Sequence, residues 1–252
     1  MSSRSALTGA AGVASQQFGG GQYTLLGGLV GMNQGTIATA FATGAVGATD
    51  VAYLQAGGLV GQNGGSVASS FATGAVNAGD YSTAGGLAGG NFVFSNNCGD
   101  CNHGDGFNTL GSISTSFATG NVAVGASSTV GGLVGTNSAG ATVTDSQAFG
   151  NVTAGGNGQS QFGNGSAGGL VGQNSGTVSG STVPVLTSTC AQGAAFTCAS
   201  GTVSVGSLGQ AGGLIGFNDG IVGNGPIRAR LQTHSRPARW GRQASPTCRP
   251  AA

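Results

Sequence analysis

The sequence predicts an all-β chain, a parallel β-solenoid of about six coils with loop insertions. Three observations predict it. A phrase Gly-Gly-Leu-(Val/Ala/Ile)-Gly-x-Asn returns six times, beginning at Gly27, Gly57, Gly85, Gly131, Gly168 and Gly212. The residues between its turn positions come in short groups of Leu, Val, Ile, Phe and Thr, which suit strands. Finally, 54 glycines in 252 residues, without helical period or capping signals, argue against helices. Units of about twenty residues cannot hold a core alone, so they must stack.

Residues 1–26 read as part of a preceding coil, because Ser5-Ala6-Leu7-Thr8-Gly9 lines up with Ser70-Phe71-Ala72-Thr73-Gly74. Residues 27–225 carry the repeats. The second copy, 57–76, is the cleanest, and the first matches it over 27–46. The third opens at 85–91 and closes at 111–122, which leaves an insertion over 92–110. The fourth runs over 131–152. The fifth is split by an insertion near 183–198, and the sixth starts at Gly212 and decays after Val222. A constant unit with variable links fits a rigid path with tolerant loops, because lengthening a surface loop costs little free energy. A coil of three short strands fits each unit. Ile37 and Phe41, four apart, fall on one face of an extended segment.

Asn33, Asn63, Asn91, Asn137, Asn174 and Asn218 close the six phrases. Asn tolerates a left-handed corner, and stacked amides can donate and accept along the axis as an Asn ladder. The Gly two residues on serves the same corner.

The run Gly-Leu-Val-Gly-x-Asn-x-Gly-x-Val followed by Ser-Phe-Ala-Thr-Gly-x-Val resembles the GLUG motif over 27–222. That repeat occurs in large bacterial surface proteins similar to filamentous haemagglutinin and autotransporter adhesins, and in some secreted immunoglobulin A peptidases. The resemblance implies a right-handed β-helix in an exported, extracellular or cell-surface protein, with the repeat serving as scaffold rather than catalyst.

Charged residues make up 5% of the chain, and Lys and Glu are absent. Without Glu, a His-Glu-x-x-His protease site cannot form in this chain. The scattered Asp residues and the distant His103 and His234 supply no acid pair or nucleophile–base set. The expectation is a protein that is not an enzyme and needs no cofactor. From Pro226 on, the repeat gives way to a Pro- and Arg-rich stretch, 226–252, read as a disordered or frame-shifted tail rather than a nucleic-acid site. No apolar run is long enough to span a membrane, and no signal peptide is recognisable. The chain therefore reads as a fragment of a longer protein.

Four of the five cysteines fall in the insertions. Cys190–Cys198 and Cys98–Cys101 are expected disulfides, in keeping with an oxidising compartment. Cys98, Asp100, Cys101, His103 and Asp105 also form a candidate metal cluster, incomplete as either a zinc or a calcium site.

The functional expectation is a repeat segment of a surface adhesin. It would hold the loops 92–110 and 183–198 toward a glycan or protein of a host or neighbouring cell, with the rest of a parent surface protein as its other partner. The alternatives are a purely structural spacer, an ice-binding solenoid using Thr43, Thr73 and Thr119, or a fragment of a secreted peptidase.

Overall fold

A computed structural model describes residues 6–7, 14–15, 24–95, 108–156, 165–181, 190–193, 196–206, 209–223 and 227–229. Every element among them is a strand, and successive coils pair in parallel. The coil around the second phrase shows the path. Its strands are Leu54–Gly57, Val60–Asn63, Ser66–Ala68, Phe71–Ala72 and Val76–Ala78. The coil therefore has five strands, not the three expected. The reason lies in the corners: strands of two to four residues are cut short by turns occupied by Ser, Thr, Asp and Tyr as well as Gly.

Stacking these coils builds five sheets, one per side. The sheet through Val60–Asn63 runs from Val30–Asn33 to Ile215–Asn218, and the sheet through Ser66–Ala68 runs from Thr36–Ala38 to Ile221–Val222. The sheet through Phe71–Ala72 begins at Ala6–Leu7 and ends at Ile227–Ala229, the latter paired with Thr197–Ala199.

Like residues sit above like. Leu59, Leu87, Leu133 and Leu170 stack with Val67, Ile113, Val143 and Val178 in one half of the interior. Val46, Val76, Val122 and Val152 fill the other, with Leu54, Ala84 and Val130. Each unit thus contributes one layer to a continuous core, and burying these side chains drives the stacking. The second glycine of the phrase sets how close the layers come. A Cβ on Gly58 would lie 2.2 Å from the Gly86 carbonyl oxygen, and one on Gly86 would lie 2.2 Å from that of Gly132. Only glycine leaves room for the backbone of the next coil.

Ile37 and Phe41 do not share a face. Ile37 is buried in Thr36–Ala38, and Phe41 is half-buried in the separate strand Phe41–Ala42. Between them Thr39 turns the chain at φ 51°, so the four-residue spacing spans a corner rather than a straight run. Ser69 (φ 50°), Thr115 (φ 49°) and Asp145 (φ 48°) make the same corner in later coils.

The left-handed corners also differ from expectation, because none of the six asparagines adopts a positive φ. Instead the Asn33 side chain bridges the turn: its Oδ1 accepts the Gly35 N–H at 3.2 Å, and its Nδ2 donates to the Gly35 carbonyl at 3.2 Å. The side chain closes the corner, so the backbone of Asn33 need not twist.

Candidate functional site

The six asparagines form one row of amides along the axis. Asn33 Nδ2 donates to Asn63 Oδ1 at 2.7 Å, Asn63 to Asn91 at 2.8 Å and Asn91 to Asn137 at 2.8 Å. Asn137 donates to Asn174 and Asn174 to Asn218, both at 2.7 Å. Asn63, Asn91, Asn137 and Asn174 are fully buried, which removes them from contact with any ligand. Their chemistry is spent on register: a buried amide left unpaired is costly, so each rung holds the next coil at one height.

A second polar row is formed by residues that the sequence reading did not single out. The hydroxyl oxygens of Ser70, Ser116 and Ser146 accept the backbone N–H of Ala40 at 3.1 Å, Ser70 at 3.1 Å and Ser116 at 3.2 Å. Each hydroxyl donates in turn to the carbonyl two residues before it, at 2.8 Å in all three cases. These serines satisfy the N–H groups exposed where the strand direction breaks. The signal was available, since a Ser precedes Phe-Ala-Thr-Gly in the second and third units.

Two aromatic stacks decorate the outside. Phe41, Phe71 and Phe117 lie ring over ring at 5.1 Å and 4.9 Å. Tyr53 and Tyr81 stack at 5.3 Å and are 51% and 44% exposed. Thr43, Thr73 and Thr119, the candidate ice-binding row, fall at the corner after the Phe strands and not on a flat sheet. The flat hydroxyl-bearing face is elsewhere: Ser112–Ser114, Thr142–Thr144 and Thr177–Ser179 pair in register with side chains pointing outward at both ends.

Both insertions leave from the borders of that hydroxyl-bearing sheet. The first departs after Asn91, between Ala88–Asn91 and Ser112–Ser114, and begins as an antiparallel hairpin of Val93–Ser95 with Asn108–Leu110. The hairpin is seated on the coils: a Cβ on Gly64 would strike the Phe94 ring at 1.7 Å, and one on Gly140 would meet Val93 at 3.0 Å. The second insertion departs after Thr177–Ser179 and returns at Thr197–Ala199. Cys190 is bonded to Cys198, whose Cα lies 5.8 Å away, which ties the end of that insertion to the wall.

Cys98, Asp100, Cys101, His103 and Asp105 lie outside the described residues, and so does the expected Cys98–Cys101 pair. Among the described residues no group of three or more His, Cys, Asp or Glu could hold a metal ion. No helix among them is long and apolar enough to cross a membrane.

Comparison with family models matches the GLUG motif at residues 52–77 and 126–153. Each matched stretch traces one full turn of five strands, so the motif corresponds to a single coil. Comparison with curated proteins and with solved structures gives no match.

Proposed function

We propose that this GLUG-repeat chain is a non-catalytic segment of a bacterial cell-surface or secreted adhesin, which displays its insertions toward a glycan or protein on another cell. The observation that carries this reading is the placement of the insertions. Two segments of unrelated sequence leave a regular solenoid at opposite borders of the same sheet, and one of them is disulfide-tied. Solenoids that bind through loops gather their variable segments on one side in this way. A disulfide persists in an oxidising compartment, which supports an extracellular setting. The scarcity of charge supports recognition by hydrogen bonding and packing, since 5% charged residues leave little for electrostatic steering.

The test is adhesion of beads coated with the full chain to a panel of epithelial and bacterial cells. The reading expects adhesion that falls when residues 94–109 are replaced by a tight turn. It is overturned if the beads bind no better than beads coated with albumin, or if the trimmed chain adheres as well as the parent.

A further inference from the structure

The tyrosine stack has no packing explanation. All three tyrosines of the chain, Tyr23, Tyr53 and Tyr81, stand four residues before a Gly-Gly phrase, at one position of the repeat. Tyr53 and Tyr81 occupy that position at φ 59° and φ 54°. A bulky side chain is rare in the left-handed region, and such strain is kept where something requires it. Burial does not require it, because both rings are about half exposed. The corner does not require it either, because Ser127 makes the same turn one coil later at φ 53°.

That replacement leaves a step. Tyr53 covers one face of the Tyr81 ring at 5.3 Å, while the next rung carries only the short side chain of Ser127. The outer face of Tyr81 therefore meets no ring on the next rung, and the residue is 44% exposed. Beside it stand exposed Asp80, whose Oδ1 accepts the Ala126 N–H at 2.6 Å, and Val51 at the level of Tyr53.

We propose that the step at Tyr81 is a binding site for the ring of a neutral sugar. A pyranose presents an apolar face of C–H groups and a rim of hydroxyls. The C–H face fits the electron-rich face of tyrosine, which favours positive edges and C–H groups. The rim fits the Asp80 carboxylate and the Ser127 hydroxyl. The ligand is neutral because no cation stands among the described residues around the step to pair an anion, and Lys is absent from the whole chain. The stack beneath braces the ring, so little side-chain freedom is lost on binding. This site deepens the adhesive reading and rests on it for biological meaning, though sugar binding is measurable without it.

The test uses the full chain and neutral hexasaccharides of glucose, galactose, mannose and N-acetylglucosamine, titrated by saturation-transfer NMR. At least one is expected to bind, with saturation strongest on the protons of one ring face. Tyr81→Ser, which installs the residue the next coil already uses, weakens binding about ten-fold or more, while Tyr81→Phe keeps it within about two-fold. Circular dichroism checks that both variants keep the parent fold. The proposal is overturned if none of the sugars binds, if Tyr81→Ser binds like the parent, or if Tyr81→Phe loses as much as Tyr81→Ser. Cell adhesion separates the two readings. Absence of sugar binding in the titration while adhesion is still lost on trimming 94–109 sinks the sugar site alone, and sugar binding without any cell adhesion sinks the adhesive reading alone.

Discussion

Asn91 Nδ2 donates to Asn137 Oδ1 at 2.8 Å although the two residues are 46 apart in sequence. The bond matches those between coils with no insertion, such as Asn33 to Asn63 at 2.7 Å across 30 residues. The insertion after Asn91 is thus absorbed entirely outside the wall, and the amide row carries the register past it.

Removing the middle rung tests that role. Asn91→Ala removes one of the three acceptors of Asn63 Nδ2, which keeps the Gly65 and Ser112 carbonyls, and leaves the fully buried Asn137 Oδ1 without its Asn91 donor. The Asn137 oxygen left unsatisfied costs about 1–3 kcal/mol, so chemical denaturation of the variant is expected at clearly lower denaturant. Asn218→Ala, at the exposed end of the row, is expected to cost well under half as much.

Layer spacing gives a matched pair of glycine substitutions. In Gly86→Ala the new Cβ meets the Gly132 carbonyl at 2.2 Å, with no flexible side chain to give way. A loss of about 3 kcal/mol or more is expected. In Gly31→Ala the nearest atom is the Leu25 carbonyl oxygen at 3.5 Å, an ordinary contact. That variant is expected to match or exceed the parent by up to about 1 kcal/mol, since alanine restricts the unfolded chain. Thermal melts of the two proteins compare them directly.

The phenylalanine row is expected to contribute through its pairs. Phe71 stacks on both Phe41 and Phe117, whereas Phe41 has Phe71 as its stacking partner among the described residues. At about 0.5–1.5 kcal/mol per pair beyond area burial, Phe71→Ala costs more than Phe41→Ala. A double-mutant cycle on Phe41 and Phe71 is expected to show coupling of that size, and additivity would contradict it.

Reducing the Cys190–Cys198 bond frees the end of the second insertion. Closing so short a loop contributes on the order of 2–3 kcal/mol in the chain-entropy model. Hydrogen exchange is expected to quicken over 196–199 after reduction, while the Leu54–Ala78 coil, which does not touch the bond, keeps its protection.

The solenoid was legible because identical letters at fixed offsets mean stacked identical positions, and Leu59, Leu87 and Leu133 announce a common layer by themselves. The number of sides was not. A strand such as Phe71–Ala72 is too short for alternation to show, and the left-handed turns fall on Thr39, Ser69 and Tyr53, residues that do not advertise them. The Ile37–Phe41 pairing failed for that reason. Of the surface, the Cys190–Cys198 link was readable from spacing, whereas the tyrosine step was hidden. The offset of four residues before Gly57, Gly85 and Gly131 already aligns Tyr53, Tyr81 and Ser127, but only the structure shows that the two rings stack and that the position is an exposed left-handed corner.

Display of the insertions from a continuous wall requires one coil per motif, carried unbroken past the first insertion. The direct measurement is continuous-wave electron spin resonance on nitroxides at Thr73→Cys and Thr119→Cys, with Cys98, Cys101 and Cys248 replaced by Ser. These positions are 46 apart in sequence and follow the paired strands Phe71–Ala72 and Phe117–Ala118. Stacked coils put them about 4.8 Å apart at the backbone, and the doubly labelled spectrum is expected to be strongly broadened by dipolar coupling. A spectrum equal to the sum of the two singly labelled proteins would contradict the stacking across the insertion, and with it the display of loops from a continuous wall.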